Sequence, residues 1–380
     1  GISVCNNIID VLKNKRLQDY NDVRMIVIMP GFIKIFETLI YNLVTQFFSD
    51  FFARDKFGIR KTPYQYGGLK GGSTYMAMLN LRMRFQEKNA IGVLLLDLAK
   101  GYDTVDMSIL LDCVTEFIDD EDIRRVLASW ITLIYNLDYV MNQTRVKRTR
   151  GIAMGLALSP IMFEFYLDCA LRDVDKGKLT CYVDDMAIIL EPDEKGGSNV
   201  DANKEFINKV VSSLEKFQLV VNKKKSVVLT RDVELSNELA KDYTVVDEEK
   251  YLGRLVRVNG DGKLVPDDRF FNKKAFRSVT CPFWVNYFTK KLVFNNGVMA
   301  KFAYGLYMFA TSDRSIRNAA FRDAWFFLKT NMGKFRHMQS VFSITNYFRF
   351  FIDSKDMVDW ITRKNNGENP RVIDDEVRKK

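Results

Sequence analysis

The pair Asp184-Asp185 stands between two short apolar runs, Leu179 to Val183 and Met186 to Leu190. That pattern predicts a β-hairpin with both carboxylates at its turn. Two negative charges in a buried turn are costly unless a cation neutralises them, so a divalent metal is the expected partner. Asp-Asp also occurs at 119–120, 267–268 and 374–375, where solvated surface is expected. What sets 184–185 apart is its apolar flanks and a third carboxylate, Asp97, which ends the apolar run Ile91 to Leu96. A strand that runs into a carboxylate at its C-terminal end is a common seat for a metal ligand. Three carboxylates on adjacent strand ends can hold two Mg²⁺ ions about 3.5–4 Å apart, with Mn²⁺ as a substitute. Such a pair activates an attacking 3′-hydroxyl and neutralises a departing pyrophosphate, so little acid–base chemistry is asked of the protein.

The rest of the composition agrees with carboxylate chemistry. His337 is the single histidine, which leaves almost no room for His-based nucleophilic catalysis or His-rich metal sites. Cys5, Cys113, Cys169, Cys181 and Cys281 are scattered, odd in number and without a Cys-x-x-Cys pair. Neither a disulfide framework nor a zinc site is expected, which points to a reducing, intracellular compartment. No apolar run approaches 18 residues and no signal-peptide pattern opens the chain, which argues against membrane insertion or secretion. The sequence opens on Gly1 rather than Met and reads as a piece of a longer polypeptide.

The 380 residues can bury a large core and hold two or three subdomains. Residues 251–380 hold 24 Lys and Arg against 12 Asp and Glu, a net of +12, so the first 250 carry −3 of the total +9. A cationic, aromatic C-terminal part suits a nucleic-acid backbone.

The elements that must position the carboxylates follow from periodicity. Val23 to Pro30 alternates like a strand and carries Arg24. Phe32, Ile35, Phe36, Leu39, Ile40, Leu43 and Phe47 space apolar side chains for a long helix over 32–53. Gln65 to Thr74 is a glycine-rich loop holding Lys70, and a helix to about Glu87 follows, capped at Ser73 or Thr74. Because Gly67 and Gly72 are followed by Ser73, this loop is not a P-loop. Helices are expected at 107–118 and 122–135, then a basic strand pair over 138–150. Gly151 to Pro160 is a glycine-kinked turn that lets backbone approach a nucleotide, feeding a helix to about Leu171. A polar loop and a helix over 203–217 lead to a strand–turn–strand around Leu219 to Ser226, with Lys223, Lys224 and Lys225 at its turn. Asn259-Gly-Asp-Gly262 is a hairpin turn, and from Arg269 to about Ile361 the pattern is helical. From the residues alone the chain reads as a metal-dependent nucleotidyl transferase, with Arg24 and Lys70 as triphosphate cations.

The order of these segments resembles a reverse transcriptase of the non-LTR (LINE-type) retroelement group. Arg24 with Lys34-Ile-Phe-Glu37 resembles the first finger motif of that family, and Gln65-Tyr-Gly to Gly71-Gly-Ser-Thr74 the second. Leu95-Leu-Asp-Leu-Ala-Lys-Gly-Tyr-Asp-Thr-Val105 resembles motif A, Gly151 to Pro160 with Phe163 motif B, and Tyr182-Val-Asp-Asp185 motif C. Val221 to Ser226 resembles motif D, Tyr251-Leu-Gly253 the primer-grip motif E, and Phe302-Ala-Tyr-Gly305 echoes the thumb. Motif B reads Met154-Gly155 where the family has Gln-Gly, a wording closer to Penelope-like elements, and Leu69 stands where the second finger motif carries arginine.

The resemblance implies roles residue by residue. Asp97, Asp184 and Asp185, with the Leu98 carbonyl, would bind the catalytic metals. Tyr102 would abut C2′ of the incoming sugar and select dNTPs, unless a one-residue bulge gave that place to Asp103. Met154 and Gly155 would line the nucleotide, Lys225 would sit by the pyrophosphate, and Tyr182 would touch the primer end, with Tyr251, Leu252 and Gly253 gripping the primer.

The implied architecture is an α+β right-hand polymerase with an antiparallel palm sheet backed by helices. Fingers are expected over 1–90 with 137–153, palm over 91–258, a helical thumb over 259–362 and a charged tail over 363–380. The expected activity is RNA-templated DNA synthesis from dNTPs on a DNA or RNA primer. The alternatives are an RNA-dependent RNA polymerase on a related palm and a non-catalytic RNA-binding scaffold.

Overall fold

The computed structural model describes residues 6–12, 23–52, 63–68, 72–141, 144–147 and 150–266. The expected thumb helices, Phe302 to Gly305, His337 and the charged tail lie outside the described residues, as do Leu69 and Lys70. The chain divides into two compact units, one of residues 1–252 with 257–265 and one of 253–256 with 266–380. Of the second, 253–256 and 266 are described.

Along the chain run β1 (Asn6–Leu12), β2 (Val23–Ile28), α1 (Gly31–Phe51), α2 (Thr74–Glu87), β3 (Gly92–Leu96) and α3 (Gly101–Thr104). Next come α4 (Met107–Phe117), α5 (Glu121–Asn136), β4 (Asp138–Met141), β5 (Thr144–Lys147) and α6 (Ser159–Ala170). Then follow β6 (Leu179–Tyr182), β7 (Asp185–Leu190), α7 (Val200–Lys216), β8 (Val227–Thr230), α8 (Val233–Leu239) and β9 (Thr244–Val246). Three short strands, β10 (Glu248–Tyr251), β11 (Arg254–Val258) and β12 (Leu264–Pro266), close the described part. No helix among the described residues is long and apolar enough to cross a membrane.

The central sheet has the order β6-β7-β3-β8-β9. Its middle strand β3 is buried at all five residues, as a Val/Leu run covered on both faces should be. Against the expected all-antiparallel sheet, β8 and β9 pair in parallel. A parallel neighbour needs a crossover, and the intervening α8, whose start is capped by the Asp232 side chain on the Leu235 N–H, supplies it. β1 also differs from expectation, since no strand was foreseen there. It pairs antiparallel with β2 and parallel with β4, giving a second sheet in the order β2-β1-β4-β5.

Behind the central sheet lies α6, buried at every residue but Pro160. A helix apolar on every side belongs in the core. α1 packs on it through Phe48 and Phe165, whose rings lie 5.4 Å apart. The buried stripe of α1 is Ile33, Glu37, Ile40, Val44, Thr45 and Phe48, while Phe32, Ile35, Phe36, Leu39 and Leu43 are exposed. The helix is where periodicity puts it, but its apolar residues go nearly round the cylinder, and the partner α6 selects the inward face. Two Asp residues outside any site start helices: Asp106 accepts from the Ser108 and Ile109 N–H groups, and Asp120 from Asp122 and Ile123. The pair at 119–120 is thus a helix cap as well as surface.

Candidate active site

β6 and β7 form the expected hairpin, but its turn is Val183-Asp184, because Tyr182 pairs with Asp185 across a two-residue loop. Both carboxylates are exposed rather than buried, which corrects the expectation. Exposure follows from placement: each charge sits at the open end of the sheet, where one side meets solvent. Val183 has φ +58° and Asp184 does not share the positive sign, so the strain falls on the first central residue. A β-branched side chain there costs about 1–3 kcal/mol.

Asp97 follows directly on β3. The β3–β7 register runs from Gly92 opposite Leu190 to Leu96 opposite Met186, so the next step sets Asp97 beside Asp185. Its main chain is held from the other side: its N–H donates to the Ser226 hydroxyl at 3.1 Å and its carbonyl accepts from the Asn222 N–H at 2.8 Å. Leu98 bridges to Val221 and is buried. The Asp185 carboxyl is pushed up to about 6, first by loss of hydration and then by the negative charges of Asp184 and Asp97. Asp185 therefore senses both other carboxylates at the end of the sheet.

Tyr102 lies on α3, whose first turn begins from Lys100 in the left-handed region, φ +54°. Its ring, rather than Asp103, stacks on Phe163 with centroids 4.7 Å apart and planes 10° from parallel. Burial, and then the charges of Asp184 and Glu164, push its hydroxyl well up and keep it a neutral phenol. The Tyr102 carbonyl accepts from the Ile152 N–H at 2.8 Å, which ties α3 to the glycine-kinked turn. From there Met154 bridges in parallel to Ile26, and its carbonyl accepts from the Val27 N–H at 2.8 Å. Gly155, with φ +106°, passes so close to the Val27 carbonyl that a Cβ would collide with it. At the far end of the turn, the buried Glu37 of α1 accepts from the Leu158 N–H at 3.4 Å.

The other expected site residues fall as follows. Arg24 is in β2, its main chain paired with Val11. Lys70 lies outside the described residues. Lys225 is exposed on the turn between Val221 and β8, with its N–H donating to the Asn222 carbonyl at 3.0 Å. Of the expected strand–turn–strand there, the first arm is only the isolated bridge at Val221. Tyr182 is half-buried beside the turn. Tyr251 and Leu252 have buried side chains, and the Tyr251 hydroxyl reaches the Thr180 carbonyl at 3.5 Å from beneath the hairpin. Leu252 and Gly253 both take positive φ, 46° and 76°, the backbone of a type I′ tight turn.

Two residues escaped sequence reasoning. Gln65 is buried with its amide on the main chain of Val183. Glu164, on α6, is fully buried, and neither carboxylate oxygen has a hydrogen-bond partner. Its sequence signal is a charge inside Ile161-Met-Phe-Glu-Phe-Tyr-Leu167. Burial pushes this carboxyl from 4.5 up to about 8, so it is neutral near pH 7. Below 4.5 folded and unfolded chains are both protonated there. Between 4.5 and about 8 only the folded chain keeps the proton, so stability falls as pH rises, by up to roughly 5 kcal/mol in total. In thermal unfolding, Glu164→Gln is expected to gain several degrees on the parent between pH 5 and pH 8.5. Melting temperatures that run parallel with pH would refute the neutral acid.

Among the described residues, no group of three or more His, Cys, Asp or Glu side chains is placed so as to hold a metal ion as it stands. The donor set nevertheless fits a hard divalent cation. It is all carboxylate oxygen, and Asp184 and Asp97 already penalise the ionised form of Asp185, a repulsion that a bound cation would reverse. Asp97, Asp184 and Asp185 are the residues that would hold it.

The fold has known counterparts. A telomerase from Candida tropicalis, in complex with a TWJ fragment of telomeric RNA, is similar with a TM-score of 0.54 at 14% identity over 95% of this chain. The apo telomerase of the same organism gives 0.51, again at 14% identity over 95%. This chain spans 57% and 63% of the lengths of those two chains, and at such identity the likeness is one of fold. A comparison with curated protein sequences finds no match. The sequence pattern that defines the family "Reverse transcriptase (RNA-dependent DNA polymerase)" matches residues 11–256, a stretch that takes in Asp97, Tyr102, the glycine-kinked turn and the Asp184 hairpin. The chain belongs to the reverse transcriptase family.

Proposed function

We propose that the protein copies an RNA template into DNA, extending a DNA or RNA primer with dNTPs. The observation that carries this reading is the register that sets Asp97 beside Asp185, with the mutual charge that raises the Asp185 carboxyl. Reverse transcriptases generally use divalent metals, and here Asp97, Asp184, Asp185 and the Leu98 carbonyl would hold two Mg²⁺ ions, or Mn²⁺. Bound there, the ions would lower the pKa of the primer 3′-hydroxyl and neutralise the pyrophosphate. Arg24 and Lys70 bind the triphosphate and Lys225 attends the leaving pyrophosphate. Tyr102 excludes a 2′-hydroxyl, and Met154 with Gly155 forms the floor of the nucleotide site. Tyr182 meets the primer end. Tyr251 supports the hairpin and the Leu252 side chain is buried, so the primer contact at 251–253 falls to main chain, with Gly253 the most open. Fingers comprise 1–90 with 137–153, palm 91–258, thumb 259–362 and tail 363–380. Within the family the motif wording favours the non-LTR group with a Penelope-like motif B, in a reducing intracellular compartment.

The test is primer extension on an RNA template, with dNTPs and rNTPs offered separately and with Mg²⁺ or Mn²⁺. Extension with dNTPs is expected. Extension with rNTPs alone would replace this reading with RNA synthesis on the same palm. Duplex binding without extension in either metal would leave an RNA-binding scaffold.

A further inference from the structure

The turn that carries Asp184 is held in an unfavourable backbone conformation by one side chain from a distant loop. A two-residue loop whose first central residue alone has φ above zero is the II′ pattern, which favours glycine at that place. This chain has Val183 instead, with φ +58°. Left alone, the valine would relax towards negative φ and swing the following carboxylate away from Asp97.

Gln65 opposes that relaxation from both sides. Its Oε1 accepts from the Val183 N–H at 3.0 Å, and its Nε2 donates to the Val183 carbonyl at 3.3 Å. The same Oε1 accepts from the N–H groups of Tyr66 and Gly67, at 3.0 and 3.1 Å, which fixes the amide in its own loop. That loop is in turn laced to β6: the Tyr66 N–H donates to the Cys181 carbonyl at 3.0 Å, and the Cys181 N–H to the Tyr64 carbonyl at 2.6 Å. Arg84 of α2 anchors the base of the arrangement through the carbonyls of Pro63, Lys176 and Leu179. The approach is close enough that a Cβ on Gly67 would lie 2.7 Å from the Val183 nitrogen and collide with the Glu164 carboxyl. Gln65 is 2% exposed, so this clamp works without competition from water.

We infer that Gln65 is a positioning residue for catalysis: it locks Val183 in the left-handed region and thereby fixes Asp184 and Asp185 relative to Asp97. The inference rests on the polymerase reading of the site. Gln65 is buried and its amide is engaged with the main chain of Val183, Tyr66 and Gly67, so its loss acts through the geometry of the carboxylates. Metal use and turnover should therefore suffer more than nucleotide binding.

The experiment is steady-state primer extension by the full chain, with Gln65→Met placed in the parent and in Val183→Gly. Glycine adopts φ near +60° without strain, so it removes the need for the clamp. In the parent background Gln65→Met is expected to lower kcat at least 10-fold and raise the half-saturating Mg²⁺ at least 5-fold, both in extension and in the Mg²⁺-dependent rise of melting temperature without substrate, while KM for dNTP moves less than 3-fold. Within the Val183→Gly background the same change should lower kcat less than 3-fold. Should Gln65→Met fail to bind a primer–template duplex, Gln65→Asn, which keeps the amide but shortens its reach, takes its place with the same expectations. Equal losses in the two backgrounds, or no loss in either, overturn the clamp. A parent that does not extend primers at all defeats the polymerase reading instead, so the two failures are distinguishable.

Discussion

Asp184→Asn is expected to lower primer extension by about 10²–10³-fold or more, the scale on which one element of preorganised electrostatics acts, while the chain stays folded and bound to duplex. The asymmetry between function and stability comes from where the residue sits. Asp184 is an exposed turn residue, and surface substitutions usually stay within about 0.5 kcal/mol. Its negative charge helps to hold the Asp185 carboxyl up to about 6. Taking that charge away therefore lowers the pKa of Asp185 towards the ordinary carboxylate value, and the repulsion that involves Asp184 is lost from the turn. The melting temperature should stay level or rise slightly as activity disappears. Parallel measurement of extension rate, duplex affinity and thermal unfolding checks all three statements. Extension near the parent rate, in a folded variant, would remove Asp184 from the metal site.

Much of the scaffold that sets up this trade-off was legible in the sequence. The runs Ile91 to Leu96 and Met186 to Leu190 read as strands because both faces of the central sheet are covered, leaving no polar alternation to confuse the pattern. The caps at Asp106 and Asp120 explain why α4 and α5 begin where their apolar periodicity begins. Shorter elements gave weaker signals. α8 has seven residues and β9 three, too few for either period to stand out, and the parallel pairing of β8 with β9 depends on that crossover. The inward face of α1 is not marked in the sequence, because Phe32, Ile35, Phe36, Leu39 and Leu43 match the helical period as well as Ile33, Ile40, Val44 and Phe48 do. Only the partner distinguishes them.

The site itself divides along the same line. Asp97 and Asp184-Asp185 announce themselves by residue type and by the strands that end in them. Gln65 does not, because its role lies in a main-chain group 118 positions away, and nothing local marks a glutamine that will meet a strained valine. Glu164 is intermediate: a charge in an apolar helix is visible as an anomaly, but whether it finds a partner is decided by the loop at Gly67 and Gly68 that packs over it. Roles that depend on residue type are readable early. Roles that depend on who is met across the fold are not.

Tyr102→Ala should raise the use of rNTPs relative to dNTPs, as a ratio of kcat/KM values, by about 10–100-fold, the range that a few kcal/mol of steric discrimination in a pocket supports. Two anchors fix the ring: the carbonyl of Tyr102 holds the Ile152 N–H, and Phe163 lies flat against one face at 4.7 Å. With Phe163 stacked on it the ring is not free to rotate aside, so in the proposed role of Tyr102 a ribose would have to displace Phe163 as well or be refused. The charge of Asp184 is felt at the phenol, which puts the ring next to the carboxylates that would receive the nucleotide. Removing the ring opens that place without touching the carboxylates, so dNTP turnover should change far less than rNTP turnover. Tyr102→Phe separates shape from polarity: it keeps the stack, loses only a hydroxyl that stays protonated throughout, and is expected to leave the ratio as in the parent. If the alanine variant discriminates between sugars as well as the parent does, selection lies elsewhere in the site and the wall formed by Tyr102 and Phe163 only supports the turn at 151–155.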